Sequence, residues 1–145
     1  MRIGLSSMTA KVIFFIDRCL GRVKVPESLR NAGATIEIHD DHFPQNIRDE
    51  EWLIEVGNRQ WVVLTKDEKI GYRTSQLLSI AQANVRVFVL ASTNLSGDAI
   101  ALTFVKTLPK MTKFALNNHP PFIAKVYRSG RVISWRNNTE ILLRI

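Results

Sequence analysis

The sequence has one cysteine, Cys19, among its 145 residues. A single cysteine excludes an intramolecular disulfide and a zinc site built from cysteine thiolates, and it is typical of proteins in the reducing cytoplasm. Long apolar runs are missing too, since Val12–Ile16 and Val87–Ala91 are far shorter than the ~20 residues that cross a bilayer. The first residues also lack the apolar stretch of a signal peptide. We therefore expect a soluble, cytoplasmic protein that does not enter a membrane.

Linkers and repeats are also missing, which bears on domain organisation. The sequence has no internal repeat, no low-complexity tract and no long stretch rich in proline, glycine or serine. A chain of 145 residues, 46% of them hydrophobic and 23% charged, suffices for one globular core. We expect a single domain over residues 1–145, with a short N-terminal extension over residues 1–10 and a C-terminal hairpin over residues 120–136.

Acidic residues are scarce outside one segment. Residues 36–68 carry nine of the 13 acidic side chains but only three of the 20 basic ones, although the whole chain has a net charge of +7. The basic remainder favours a polyanionic partner such as nucleic acid. The acidic segment would repel that partner unless its carboxylates hold metal ions. Alternatively, the acidic residues form a solvated surface and the basic residues are scattered.

Four short apolar segments, rich in β-branched and aromatic residues, alternate with segments of helical periodicity. This pattern predicts an α/β domain with a largely parallel central sheet. Near the C-terminus, two strand-like segments bracket Ser129–Gly130 and predict a β-hairpin. A long helix is predicted to open at Ser96, to run towards Leu116 and to be kinked or broken at Pro109. The predicted strands are Val12–Ile16, Thr35–His39, Trp61–Thr65, Val85–Leu90, Phe122–Val126 and Val132–Trp135.

Two of the predicted strands end close to an aspartate. Asp17 follows Val12–Ile16, and Asp67 follows Trp61–Thr65. Ligand sites of open parallel sheets lie beyond the carboxyl ends of the strands, so both carboxylates face one crevice if these strands are neighbours. Asp49, at the start of the helix before the third strand, would enter from one side. Crowded carboxylates repel one another unless a cation bridges them, and ligands that are all oxygen atoms suit Mg²⁺ or Mn²⁺.

Each of these acids also has a purely structural interpretation. Asp17 and Asp67 can accept hydrogen bonds in the turns that follow their strands, and Asp49 suits the N-cap of its helix. Glu50 suits the positive end of the same helix dipole. The segment His39–His42 invites a transition-metal site, but adjacent ligands rarely reach one ion. We expect its two histidines to support the acidic site or to lie on the surface.

The order of these features along the chain resembles a known family. The resemblance is to the PIN-like domains of VapC-type toxins in bacterial toxin–antitoxin pairs, and it covers residues 12–90. It implies a three-layer α/β/α PIN-like sandwich with a mainly parallel central sheet, cleavage of RNA, an antitoxin partner and a homodimer. The segments that carry it are Phe15–Asp17 with Gly21, Val25–Gly33, His39–Phe43, Asp49–Leu53 and Trp61–Asp67, and Pro120–Ala124 is also similar.

The resemblance also assigns residues to the site. It implies that Asp17, Asp49 and Asp67 are catalytic and bind Mg²⁺ or Mn²⁺, with a metal-bound water attacking the RNA phosphodiester. Related PIN-like proteins often read Thr-x-Asp-x-Asp-Phe, and Lys69 here replaces the second aspartate. The fourth acidic ligand is therefore open, or a single ion binds firmly. The acids that could take its place are Glu68, Glu50, Asp41 and Glu27.

Basic residues near the predicted site supply candidates for RNA binding. Lys66, Lys69 and Arg73 are placed to hold RNA phosphates beside the metal. Trp135 is open to either a core or a base-stacking role, whereas the other two tryptophans are expected in the core. Two further basic groups are equally consistent with a solvated surface, namely Lys106, Lys110 and Lys113 on the long helix and Lys125, Arg128, Arg131 and Arg136 around the hairpin.

Three classes of function compete for this pattern. The first is a metal-dependent endoribonuclease, the toxin of a toxin–antitoxin pair. The second is a non-catalytic module that keeps the PIN-like fold and binds nucleic acid or protein, and Lys69 in place of an acid favours it. An aspartate-phosphorylated enzyme or receiver is disfavoured, because Asp17–Cys19 lacks the second aspartate of such phosphatases and a receiver needs paired acids after its first strand.

Overall fold

Six strands form one sheet in the structure, a computed structural model that describes residues 12–91 and 94–145. The predicted N-terminal extension lies outside these residues. The strands are β1 (Ile13–Ile16), β2 (Thr35–Ile38), β3 (Val62–Thr65), β4 (Arg86–Leu90), β5 (Phe122–Val126) and β6 (Val132–Arg136). Their order across the sheet is β2-β1-β3-β4-β5-β6. Neighbours from β2 to β5 are parallel, and β6 pairs antiparallel with β5 in the predicted hairpin.

Helices cover both faces of this sheet. They are α1 (Lys24–Asn31), α2 (Asp49–Asn58), α3 (Thr74–Gln82), α4 (Gly97–Asn117) and α5 (Asn138–Arg144). One hydrophobic cluster joins α1 and α4 to the sheet, and a second joins α2, α3 and α5 to the opposite face. The fold is therefore the expected three-layer α/β/α sandwich with a mainly parallel central sheet. None of the helices in the described residues has both the length and the apolar character to span a bilayer.

Alternation along the strands explains the two clusters. In β1, Phe14 and Ile16 face α1 and α4, whereas Phe15 faces α2 and α3. The ring centroid of Phe15 lies 5.3 Å from that of Trp52, which is 1% exposed. Trp61 is partly buried against the same cluster, which confirms that these two tryptophans belong to the core.

The helix α4 runs without a break through Pro109, which contradicts a break at that residue, whereas a kink there stays a prediction. A proline in a helix interior removes one hydrogen bond and costs about 3 kcal/mol. Phe104, Leu108 and Met111 are buried against the sheet on both sides of the proline. Burial of each such side chain contributes about 1.5–3 kcal/mol, which outweighs the lost bond.

Short 3₁₀ turns follow the first three strands, and the sequence pattern did not predict them. They span Arg18–Leu20 after β1, His39–Asp41 after β2 and Glu68–Gly71 after β3. The C-terminal helix α5 was not predicted either. Its N-cap, Asn137, accepts a hydrogen bond from the backbone N–H of Glu140, whose side chain accepts one from Asn137 in return.

The direction of the chain across the sheet reverses between β1 and β3. After β1 the chain moves to β2 on one side, and after β3 it moves to β4 on the other. Such a reversal opens a crevice at the carboxyl ends of the two central strands. Ile16 pairs with Leu64, so the strands that precede Asp17 and Asp67 are neighbours, as the sequence argument required.

Candidate active site

Asp17 is held at the crevice by its backbone and its side chain. Its N–H donates to the carbonyl of Leu64 at 3.0 Å, which continues the pairing of β1 with β3. Thr65, fully buried at the end of β3, donates its hydroxyl to Oδ2 of Asp17 at 2.7 Å. The thiol of Cys19 donates to the same oxygen at 3.4 Å. Within the described residues, Oδ1 of Asp17 accepts no hydrogen bond.

The surroundings of Asp17 disfavour its charged form. Burial raises the pKa of Asp17 above its ordinary value, although the hydrogen bonds from Thr65 and Cys19 oppose this. The nearby carboxylate of Asp49 adds to the rise in the pKa of Asp17, because a like charge disfavours the ionised form. A cation at this position would relieve both the burial of charge and the repulsion between the two carboxylates.

Asp67 is linked to Asp17 through the hydroxyl of Thr65. That hydroxyl oxygen accepts the backbone N–H of Asp67 at 3.1 Å while it donates to Asp17. The carboxylate of Asp67 accepts the N–H of Lys69 at 3.1 Å and pairs with the guanidinium of Arg73 at 3.2 Å. Asp67 therefore lies at the crevice with one of its two carboxylate oxygens already paired with the guanidinium of Arg73.

Asp49 is the first residue of α2, and the residue at the N-cap is Arg48, so the N-cap interpretation of Asp49 is wrong. Its carboxylate instead accepts two side-chain donors from the core. Nε1 of Trp52 lies 2.8 Å from Oδ1, and Nε2 of Gln76 lies 3.2 Å from Oδ2. Trp52 and Gln76 are 1% and 3% exposed, so both donors hold the carboxylate in a fixed orientation.

Asp17 and Asp67 share the hydroxyl of Thr65, and Asp49 is near enough to act on Asp17, but the three predicted aspartates do not form a closed cage. In residues 12–91 and 94–145, no three His, Cys, Asp or Glu side chains are grouped closely enough to hold a metal ion. Asp67 instead pairs with Arg73, and Asp49 bonds to its core donors Trp52 and Gln76. The atoms of Asp17 and Asp49 that keep free lone pairs are carboxylate oxygens. Carboxylate oxygens are the ligands that a hard divalent cation prefers.

The other acids considered for the site occupy different positions. Glu50, beside Asp49, accepts the hydroxyl of Ser75 at 2.9 Å. Hydrogen bonds, first from its own backbone amide and then from Ser75, lower the pKa of Glu50, so it is ionised at neutral pH. Glu68 lines a cleft with Asp67, whereas Asp41 and Glu27 are exposed on the turn after β2 and on α1.

Sequence reasoning missed three residues that hold the aspartates: Thr65, Gln76 and Cys19. The signal for Thr65 is a hydroxyl at the end of an apolar strand, and for Gln76 a lone amide on the apolar face of α3. Cys19 is exposed as a residue, but burial of its thiol and the charge of Asp17 raise its pKa to about 11. The thiol therefore stays protonated and donates a hydrogen bond.

The histidines after β2 do not converge on one ion. His39 is 4% exposed and packs edge-on against Phe43 and Trp52, so it supports the core and is not a surface residue. Burial lowers the pKa of His39, and the ring is neutral at neutral pH. His42 instead bonds through Nε2 to the carboxylate of Glu37 at 2.7 Å.

Basic residues divide between the crevice and the scaffold. Lys66 and Lys69 are exposed and line a cleft of about 390 Å³ beside Asp67. Lys106 and Lys110 of α4 have a different role, because each donates its Nζ at 3.1 Å to a carbonyl of the β5–β6 turn. These two lysines link the hairpin to the helix by hydrogen bonds. Neither of the two interpretations of the sequence included this role.

Comparisons with known proteins give two matches. The model of a family described as "PIN like domain" matches residues 12–92, a segment that contains all three aspartates of the crevice. A protein of Mycobacterium tuberculosis named "Putative ribonuclease VapC45" is 25% identical over 119 residues, which cover 79% of this chain and 86% of that protein. No solved structure matches significantly.

Proposed function

Because the chain belongs to the PIN-like domain family, we propose that it is a metal-dependent endoribonuclease and the toxin of a type II toxin–antitoxin pair. The carrying observation is that Asp17 and Asp67 follow neighbouring strands at the reversal point of the sheet and are joined through the hydroxyl of Thr65, with the carboxylate of Asp49 close enough to act on Asp17. The similarity to a relative named as a ribonuclease supports RNA as the substrate.

The residues of the crevice would divide the chemistry among them. Asp17, Asp49 and Asp67 would supply oxygen ligands for Mg²⁺ or Mn²⁺, and the further acids nearest along the chain are Glu68, next to Asp67, and Glu50, next to Asp49. A bound divalent ion supplies positive charge that stabilises the anionic transition state of phosphodiester hydrolysis and activates water. Thr65 and Gln76 keep the carboxylates oriented.

Exposed cations beside the acids would hold the substrate. Lys66 and Lys69 line the cleft at Asp67 and bind RNA phosphates there. Arg73 exchanges its contact with Asp67 for a phosphate, because a guanidinium pairs equally well with either anion. This exchange frees an oxygen of Asp67 when RNA is present, and it couples substrate binding to assembly of the metal site.

The test is RNA cleavage by the purified chain in Mg²⁺, in Mn²⁺ and in chelator. Asp17→Asn keeps the shape of the side chain, removes its charge and should lower cleavage by roughly two orders of magnitude, since the ion contributes several kcal/mol. Asp98→Asn is the matched control, because Asp98 is 85% exposed at the start of α4 and pairs with Lys24. Cleavage that persists in chelator or in Asp17→Asn would contradict the proposal.

A non-catalytic module remains the second candidate, and one contact favours it. The guanidinium of Arg73 already neutralises Asp67, and Lys69 stands where related proteins often have an acid. A chain with that arrangement binds RNA through its cations without assembling a metal site. RNA binding with no cleavage at any Mg²⁺ or Mn²⁺ concentration would support this candidate over the nuclease.

The proposal extends to partners and location. A toxin of this kind acts in the cytoplasm and is held inactive by a cognate antitoxin, one segment of which covers the acidic crevice. A homodimer is also proposed. Light scattering during size-exclusion chromatography measures the oligomeric state, and co-purification with the product of a neighbouring gene tests the antitoxin.

A further inference from the structure

An exposed aromatic side chain stands one turn away from the acidic crevice. Tyr72 is 63% exposed, although large aromatic side chains are usually buried. Its backbone N–H donates to the carbonyl of Lys69 at 2.9 Å, which closes the 3₁₀ turn that begins after Asp67. The next residue, Arg73, pairs with Asp67. The turn therefore fixes the ring of Tyr72 close to the residues that would bind the scissile phosphate.

The ring is supported from the protein side by the last strand of the sheet. Trp135 of β6 meets Tyr72 edge to face, with centroids 5.2 Å apart and planes at 72°. The guanidinium of Arg136 lies 5.6 Å from the centre of the Tyr72 ring, and its Nε donates to the carbonyl of Gly71 at 3.4 Å. These contacts orient the ring while leaving most of it open to solvent.

Gly71 allows this support to approach closely. A Cβ atom at Gly71 would lie 2.4 Å from the Trp135 ring, so any side chain there would displace the tryptophan. Trp135 is also covered by Lys125, whose Nζ lies 4.1 Å from the ring centroid. Lys125 lies next to the carboxyl end of β5, the end of the sheet where Asp17 and Asp67 stand. The aromatic pair is thus flanked by two cations, Lys125 and Arg136.

We propose that an unpaired nucleobase of the RNA stacks on Tyr72 while Arg73 and Arg136 contact the adjoining phosphates. This inference rests on the proposed ribonuclease function and assigns Tyr72 as a residue that contacts an unpaired base of the substrate. Bases in a duplex are stacked on each other and unavailable, whereas unpaired bases stack on exposed aromatic rings that lie among cations. The positive charge around the ring favours a polyanion such as RNA over an apolar protein segment.

The experiment measures RNA affinity without cleavage. The full chain is titrated, in chelator, against a dye-labelled unstructured oligoribonucleotide, against the same backbone carrying abasic sites, and against duplex RNA. Tyr72→Ala should weaken binding to the base-containing single strand by at least about fivefold, the contribution of stacking one base. It should leave binding to the abasic strand and to the duplex unchanged. Tyr72→Phe, which keeps the ring, should bind like the wild type.

Leu102→Ala is the matched control, because Leu102 is 69% exposed on α4 in the opposite layer of the sandwich. Equal affinities of the wild type and Tyr72→Ala would overturn the inference, as would an equal loss on the abasic strand. Loss of antitoxin binding alone in Tyr72→Ala would assign the ring to a protein partner instead. Binding that depends on Tyr72 in a chain that cleaves no RNA would support this inference and overturn the proposed function.

Discussion

At the scale of one residue, the buried carboxylate of Asp17 lowers the stability of the folded protein at neutral pH. Its pKa is raised mainly by burial, so the folded state favours the protonated carboxyl. Between the ordinary pKa of 3.8 and the raised value, the folded protein binds more protons than the unfolded chain. The free energy of unfolding contributed by Asp17 is therefore full below that ordinary value, falls as the pH rises through the raised pKa, and stays low at neutral pH.

Asp17→Asn should consequently raise the melting temperature at pH 7 in chelator. The amide carries no charge to bury, and its oxygen can still accept the hydroxyl of Thr65. Thermal unfolding between pH 3 and pH 7 measures the effect, and the advantage of the variant should shrink as the pH falls towards the lower limit. A variant that melts below the wild type at pH 7 would show that the carboxylate stabilises the fold.

Gln76 acts on the site through Asp49 alone, which makes it a positioning residue. Gln76→Leu removes the donor at 3.2 Å from the carboxylate and also a buried Oε1 that has no partner in the described residues. The fold should survive, while metal affinity and activity fall about 10–100-fold, as is typical when a partner of a metal ligand is lost. The Mn²⁺ concentration that half-saturates the rise in melting temperature reports affinity without cleavage.

Gln82→Leu is the control for that substitution, because Gln82 is exposed at the end of the same helix α3. Equal Mn²⁺ requirements for the wild type and Gln76→Leu would mean that Trp52 alone orients Asp49. A large drop in the metal-free melting temperature of Gln76→Leu would instead assign Gln76 a role in packing.

At the scale of elements, α4 carries a cost that can be removed. Pro109 is exposed, and the helix continues past it. Pro109→Ala restores one backbone donor, although it also frees the unfolded chain, so the free energy of unfolding should rise by about 1–2 kcal/mol. Urea denaturation measures the change. Ser96→Ala removes the hydroxyl that accepts the backbone N–H of Ala99 at the start of the same helix. This substitution should lower the free energy of unfolding by about 1 kcal/mol.

Burial decided which elements could be predicted from the sequence. The strands β1, β3, β4 and β5 were recognisable because each is a short run rich in apolar residues, most of them buried in the sheet. The 3₁₀ turns were not, since three or four residues show no periodicity. The helix α5 was missed because it buries only Ile141 and depends on the cap at Asn137. A break was wrongly predicted at Pro109, because the local preference of proline against a helix interior is outweighed by the packing of the whole helix.

Charge acts at the scale of the whole molecule. With a net charge of +7, the chain should bind RNA more weakly as salt rises, with a slope of about −0.7 per phosphate contact for a single strand. Lys69→Ala should reduce the magnitude of that slope by about 0.7 if Lys69 holds one phosphate. Lys113→Ala, an exposed lysine on α4, should leave it unchanged. Equal slopes for all three proteins would place the RNA away from the crevice.

Long-range pairing explains which parts of the site were predictable. The aspartates after β1 and β3 were identified because a carboxylate after a buried strand is a local pattern. Their partners come from distant segments: Thr65 reaches Asp17 across 48 positions, and Gln76 reaches Asp49 across 27. The pairing of Arg73 with Asp67 also depends on the path of the 3₁₀ turn. No local sequence pattern contains contacts between residues so far apart in the chain.

The family match ends at residue 92, whereas β5 and β6 lie beyond it. The three aspartates and Tyr72 thus lie in the matched segment, and the support beneath Tyr72 lies on the edge of the sheet that follows. On the proposed assignment, substitutions at Trp135 and Arg136 would change which RNA is bound and leave the three aspartates untouched. The hydrolytic centre and the choice of RNA would then be set by different parts of one sheet.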